Sequence, residues 1–241
     1  MATYVLVHGA CHGGWCWRRV APLLRAAGHE VFAPTLTGLG ERAHLAHRGI
    51  DLETHIQDVA AVLTYEELRE VLLVGHSYAG LVITGVAERA ADRLAQLVYL
   101  DAGVPRDGES GLDLFAPEEV AALRAQVAAA GEGWRLPPAG GEQPWDVTSP
   151  DDVRWVRSKV TAHPFATFTQ PLRLTNPAAA ALPKTFIHCT GTAPSRWREI
   201  CLQRVRSEPG WRYRALATGH DAMVIAPREL ADLLLELAPA P

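Results

Sequence analysis

The sequence predicts an α/β protein, a mostly parallel sheet of about six strands flanked by helices. Three observations predict it. Short β-branched or apolar runs alternate with amphipathic stretches, the pattern of strands joined by crossover helices. One long interval breaks that rhythm and reads as an insertion. The chain has 241 residues, 48% of them hydrophobic, enough for one sizeable core. In order, strands are predicted at 3–8 (TYVLVH), 29–34 (HEVFAP), 70–75 (EVLLVG), 95–100 (AQLVYL), 184–189 (KTFIHC) and 211–217 (WRYRALA). Helices are predicted near 15–27, 51–63, 78–92, 195–206 and 227–238. Residues 1–103 and 183–241 thus form the core, and 104–182 form a helical cap inserted between two strands of one compact domain.

The cap segment is rich in Pro, Gly and Trp. Its helical pieces are "APEEVAALRAQVAAA", where Pro117 suits a first turn, and "SPDDVRWVRSKV", where Ser149 reads as the cap. Its aromatic residues Phe115, Trp134, Trp145, Trp155, Phe165 and Phe168 serve either as walls of a pocket or as the segment's own core. Of these, Trp134 and Trp155, with His76 from the sheet edge, are expected to line the substrate pocket.

A formal net charge of -4 gives no basic field for phosphate backbones, so nucleic acid is not an expected partner. A small-molecule substrate fits better, and pairing into a homodimer is left open. Cys11, Cys16, Cys189 and Cys201 fall in no CxxC pair and read as free, buried thiols. The stretch "MATYVLVHGACHGG" lacks the basic and apolar regions of a signal peptide, and no apolar run is long enough to span a bilayer. The expected location is cytoplasmic, without membrane contact.

Catalytic chemistry is concentrated in "VLLVGHSYAGLVI". Gly75-His76-Ser77-Tyr78-Ala79-Gly80 follows a strand and opens a helix, which is the context that gives G-x-S-x-G its meaning. The tight strand-to-helix turn lifts the Ser77 hydroxyl above the sheet, and the glycines leave room for neighbouring backbone. The alternative is a structural serine capping that helix. A serine needs a base, and "ALATGHDAMVIAPREL" offers His220 between the last strand and the last helix. Backbone N–H donors for an oxyanion are expected from Tyr78, at a helix N-terminus, and from Ala10 in the "HGACHGGW" loop. His8, Cys11 and His12 match no common zinc spacing, so no metal is expected. "GLGER" lacks a full dinucleotide fingerprint and no Walker motif occurs, so no cofactor is expected. "ERAHLAHR" reads as a solvated loop that could border the pocket.

"VLVHGACHGGWCW", "LLRAAGHEV", "VGHSYAGL" and "GHDAM" together resemble, in order and spacing, the plant methylesterase and hydroxynitrile lyase group of α/β-hydrolases and their bacterial esterase relatives. The resemblance covers nearly the whole core. It implies the α/β-hydrolase fold and a serine esterase, with Ser77 as nucleophile, His220 as base and the Ala10 and Tyr78 N–H groups as oxyanion hole. The lyase branch of this group has threonine in place of Gly9, glutamate in place of His76 and lysine just after the catalytic histidine. Asp221 stands there in this chain, and its charge would repel a cyanide leaving group.

The resemblance also exposes a gap. The acid normally follows the penultimate strand, here in "FIHCTGTAPSR", where the aligned position falls at about Thr192. Asp101, at the end of "LVYLDAG", is the first substitute, because other α/β-hydrolases place the acid after that strand. A turn-forming aspartate is the alternative reading of it. Glu199, one or two turns into a helix, is the alternative acid. Asp221 would have to bend back onto its own neighbour. A Ser-His dyad with no acid would favour a different reaction, a lyase or cyclase using His220 as general base. A small-ligand binding protein is the non-enzymatic reading.

Overall fold

The computed structural model describes residues 1–238. Six parallel strands form one sheet in the order β2-β1-β3-β4-β7-β8. They are β1 (Thr3–Val7), β2 (Glu30–Phe32), β3 (Val71–His76), β4 (Leu94–Leu100), β7 (Lys184–Cys189) and β8 (Trp211–Leu216). A separate antiparallel pair, β5 (Arg135–Leu136) and β6 (His163–Pro164), lies between β4 and β7 in sequence. All six predicted strands form. β2 is shortest, with only Glu30 to Phe32 paired to β1. Pro34 just beyond has no N–H to offer a ladder.

The central strands are nearly continuous apolar runs because both sheet faces are covered. Alternate residues divide between two cores. Val5, Val7, Leu73, Leu97, Tyr99 and Phe186 face α2 (Leu52–Tyr65), α3 (Ala79–Ala90) and α8 (Arg196–Ser207). Tyr4, Leu6, Leu72, Val74, Val98 and Ile187 face α1 (Ala21–Ala26), α9 (Ala222–Ile225) and α10 (Pro227–Glu236). Asp51 starts α2 by accepting the Thr54 N–H at 3.0 Å while the Thr54 hydroxyl reaches back to the Asp51 N–H. The helix expected near 15–27 divides into a 3-10 turn, Gly14–Arg19, and α1. The restart puts Pro22 in a first turn, where its missing N–H costs nothing.

Between β4 and β7 the chain forms α4 (Pro117–Ala130), α5 (Pro150–Arg157), α6 (Ala166–Thr169) and α7 (Pro177–Ala181). Pro117 and Pro150 open their helices, but the Ser149 side chain makes no capping hydrogen bond. The acidic pair Asp151 and Asp152 in the first turn favours that helix end instead.

The strand order reverses between β1 and β3: the chain moves outward from β1 to β2, then returns to the other side. In open parallel sheets the loops after such strands diverge and leave a crevice at the carboxyl edge. Register brings Val7, Gly75 and Tyr99 level across β1, β3 and β4. The residues that follow these three strands therefore emerge together. No helix of the described residues is long and apolar enough to cross a membrane.

Candidate active site

Ser77 sits directly after β3 with φ 55°, a left-handed conformation that costs an ordinary residue roughly 1–2 kcal/mol. The surroundings hold it there. Its N–H donates to Leu100 O at 3.1 Å, and its carbonyl accepts from Gly103 N at 3.0 Å and Gly80 N at 3.1 Å. A Cβ on Gly75 would come within 2.8 Å of the Ala79 carbonyl oxygen, and one on Gly80 would overlap the Gly103 carbonyl. These two glycines let strand, turn and helix close around the serine. Cys11, Asp101, Trp145 and Asp146 near the same crevice also have positive φ, so backbone strain gathers at this edge of the sheet.

Ser77, Tyr78, Ala10 and His220 line one cavity of about 300 Å³. Its walls include Leu81, Leu114, Phe115, Trp145, Phe168 and Trp197, with Gly103 and Gly111 leaving space between them. Among the described residues the backbone N–H groups of Ala10 and Tyr78 meet no backbone acceptor. Tyr78 precedes the first turn of α3, whose positive end adds to the field there. The Ala10 peptide is aimed from behind. His8 donates from Nδ1 to Gly9 O at 2.9 Å and accepts the Leu36 N–H on Nε2 at 3.1 Å, so its tautomer is defined. Gly9 O and the Ala10 N–H belong to one peptide plane, and holding the carbonyl turns the N–H the opposite way.

His220 Nδ1 lies 2.6 Å from Asp101 Oδ2. Asp101 follows β4 with φ 40°, fully buried, its N–H donating to Ile187 O at 2.7 Å. The carboxylate also receives Arg198: Nε lies 3.2 Å from both oxygens and Nη2 3.1 Å from Oδ2. Burial opposes the charge on Asp101, but the His220 hydrogen bond and the charges of His220 and Arg198 outweigh it and bring its pKa down to about 2. Because the folded value lies below the unfolded one of about 3.9, this group stabilises the fold above that range and loses its contribution as pH falls toward 2. Two pKa units correspond to roughly 2–3 kcal/mol in all, part of which survives at pH 2.5, so unfolding free energies at pH 5 and pH 2.5 are expected to differ by roughly 1.5–2 kcal/mol more in the parent than in Asp101→Ala. Parallel pH curves for the two proteins would contradict it.

Of the other acids considered, Glu199 is exposed and its carboxylate is not directed at His220. It neighbours Arg198 on α8, and one residue along a helix turns the side chain by about 100°. Arg198 therefore faces in while Glu199 faces out. Thr192 donates its hydroxyl to Cys189 O at 2.8 Å and leaves His220 alone. Asp221 turns away from His220 and meets His12, 2.9 Å from Nε2.

The three expected pocket residues are corrected. His76, Trp134 and Trp155 lie outside the cavity wall. His76 is buried beneath it, its Nε2 donating to His220 O at 3.0 Å, and burial first, then the neighbouring His220, lower its pKa to about 3. Trp134 is covered by the Arg48 and Arg135 guanidinium groups. Trp155 packs edge-on against Trp15 at 5.2 Å, under Arg19. Phe165 belongs to the core, while Phe115, Trp145 and Phe168 form cavity wall. "ERAHLAHR" forms a largely exposed 3-10 turn, Gly40–Leu45, and its continuation, away from the cavity. The four cysteines are free and buried.

Two polar wall residues were not anticipated: Arg198, and Asp146, whose Oδ2 accepts the His220 backbone N–H at 3.2 Å. Asp146 lies in irregular backbone, and Arg198 in the first turn of α8, where the facing direction depends on where the helix starts.

Residues 4–233 match the alpha/beta hydrolase family. The chain is 42% identical to a carbendazim hydrolyzing esterase from Nocardioides sp. (strain SG-4G), over 98% of this chain and 100% of that one. It is 29% identical to esterase PIR7B of Oryza sativa subsp. japonica, over 98% of this chain and 95% of the relative. Among solved structures, an extracellular alpha/beta-hydrolase from a Paenibacillus species superposes with a TM-score of 0.85 at 21% identity, covering both chains completely.

Proposed function

Because this chain belongs to the alpha/beta hydrolase family, we propose that it is a serine carboxylic ester hydrolase acting through an acyl-enzyme on small to medium, largely apolar esters. The observation that carries the proposal is the single cavity that Ser77 and His220 share, with Asp101 2.6 Å behind the histidine ring. In this reading Asp101 fixes the Nδ1–H tautomer of His220 and leaves Nε2 free as base. His220 takes the Ser77 proton as Oγ attacks the ester carbonyl. The carbonyl oxygen becomes an oxyanion held by the Ala10 and Tyr78 N–H groups. His220 returns the proton to the departing alkoxide, the C–O bond breaks and the alcohol leaves. Water, deprotonated by His220, then attacks the acyl-serine; collapse of the second oxyanion frees the acid and restores Ser77 with its proton.

The apolar walls and modest volume favour an ester with one flat or compact acyl or alkyl group. The Nocardioides relative is named for hydrolysing carbendazim, which makes that compound a first substrate to assay here. The lyase or cyclase reading rests on the lack of an acid partner for His220, and the Asp101 contact takes that ground away. Gly9 argues in the same direction. A side chain there would press within 2.8 Å of His76 Nδ1, so the threonine of the lyase branch does not fit beside this histidine.

The test is chemical trapping. A fluorophosphonate is expected to label the protein at one equivalent, on Ser77 by peptide mass spectrometry, and to abolish p-nitrophenyl acetate and carbendazim hydrolysis in proportion to labelling. Turnover that survives complete labelling, or labelling confined to another residue, would rule the proposal out.

A further inference from the structure

The buried pair His12 and Asp221 takes no direct part in the chemistry above, yet it joins the two loops that chemistry needs. His12 belongs to the loop after β1 that carries Ala10, and Asp221 follows His220. His12 Nε2 lies 2.9 Å from Asp221 Oδ2, and Nδ1 lies 2.8 Å from Ala10 O, with both side chains essentially inaccessible to water. A carboxylate and a carbonyl can only accept, so both ring nitrogens must donate. A neutral imidazole has one N–H; the cation has two. We propose that His12 is a permanently protonated positioning residue, whose ion pair with Asp221 clamps the oxyanion loop to the catalytic-histidine loop. The proposal rests on the assignment of Ala10 and His220 above.

The surroundings suit a cation. The His12 ring stacks on Trp15 with centroids 5.2 Å apart and 17° between planes, and meets Trp145 edge-to-face at 4.7 Å. Trp145 is itself tied in, its carbonyl accepting the Asp221 N–H at 3.2 Å. Burial works against charge on His12, but the carboxylate beside it raises its pKa above the ordinary histidine value. Asp221 is lowered in turn, with burial opposing and His12 prevailing. The other titratable groups around the pair include His8, His76, His163, His220, Cys16 and Cys189. The pKa values of His8, His76 and His163 are lowered chiefly by burial, so these rings stay neutral near pH 7 and leave His12 the cation.

The geometry explains why charge rather than packing is needed here. Asp221 Oδ1 is buried with no hydrogen-bond partner among the described residues, and His76 Nε2, 3.9 Å away, is committed to His220 O. Without the His12 cation that carboxylate would stand unpaired behind the site. With it, Ala10 is fixed through its carbonyl and the peptide after His220 through Asp221. A displacement of about 1 Å at either loop can cost on the order of a hundredfold in rate.

Nitrogen-15 NMR of the wild-type enzyme near pH 7 is expected to show both His12 ring nitrogens protonated, and one bare nitrogen would overturn the proposal. Enzymes carrying His12→Gln or Asp221→Asn are expected to lose about ten- to a hundredfold in kcat while KM stays within about threefold. An alkylboronic acid, whose tetrahedral Ser77 adduct places an oxygen in the oxyanion hole, is expected to bind more weakly by a similar factor. The double variant, with both charges gone, is expected to fall no further than the worse single one. Folded single variants with parental kcat would overturn the clamp, as would equal losses in kcat and in binding of the product acid. If neither single variant folds, the NMR result on the wild-type protein decides. Failure of the serine assignment would appear separately, as turnover in the Ser77→Ala enzyme.

Discussion

Replacing Ser77 with alanine is expected to lower kcat on short aryl esters by about 10⁴- to 10⁶-fold, with little change in fold or in KM. The size follows from what is removed. The cavity walls that bind substrate are untouched, and so are the Ala10 and Tyr78 N–H groups, so ground-state binding persists. What disappears is the covalent route, and His220 is left to activate water directly, with a residual advantage over solution from the oxyanion hole. Stability should move little, because alanine at φ 55° carries much the same backbone strain as serine, and the Ser77 side chain makes no hydrogen bond among the described residues. Steady-state assays at saturating ester, with circular dichroism to establish the fold, check the result. Activity within tenfold of the parent would mean the serine is not the nucleophile.

The inner strands were legible because each is a short, largely apolar run between turn residues, and burial on both faces forces that composition, whereas the edge strand β8 is mostly exposed. The serine turn was legible for the same kind of reason: Gly75 and Gly80 are required by contacts with Ala79 and Gly103, and those contacts exist only in a strand-turn-helix. The facing of single side chains at the crevice was not legible. Nothing in "SRWREI" says that Arg198 rather than Glu199 faces the crevice, since that depends on where the helix starts and how it rotates against β4. Trp145 and Trp155 both belong to the 104–182 segment, yet one forms cavity wall and the other packs on Trp15. The contact between Asp221 and His12 was the least legible of all. Asp221 stands beside His220 in sequence, whereas its partner in space, His12, lies 209 positions away.

Asp101→Asn is expected to lower kcat by about 10²- to 10⁴-fold, and the hydrogen-bond pattern explains why so small a change is not tolerated. Oδ2 of the native carboxylate accepts from His220 Nδ1, Arg198 Nε and Arg198 Nη2, while Oδ1 accepts from Arg198 Nε alone. Every neighbour is a donor. An asparagine has one accepting oxygen and one donating NH₂, so one side must fail. With its oxygen toward His220, the NH₂ confronts the Arg198 guanidinium. With the amide flipped, the NH₂ confronts Nδ1 and drives the histidine proton to Nε2, where it can no longer act as base toward Ser77. In either orientation the negative charge that compensates the imidazolium is gone. The same substitution leaves the buried Arg198 cation with neutral acceptors alone, Ala193 O, Ser195 Oγ and the asparagine oxygen, and a stability loss on the order of 3 kcal/mol is expected. A second change separates the two effects. Adding Arg198→Gln to Asp101→Asn should recover part of the stability, because the stranded cation is removed, but none of the catalytic loss, because the histidine still lacks its carboxylate. Denaturant melts read the first quantity and kcat the second. A single Asp101→Asn variant within tenfold of parental kcat, or a double variant that regains activity along with stability, would return His220 to working without an acid.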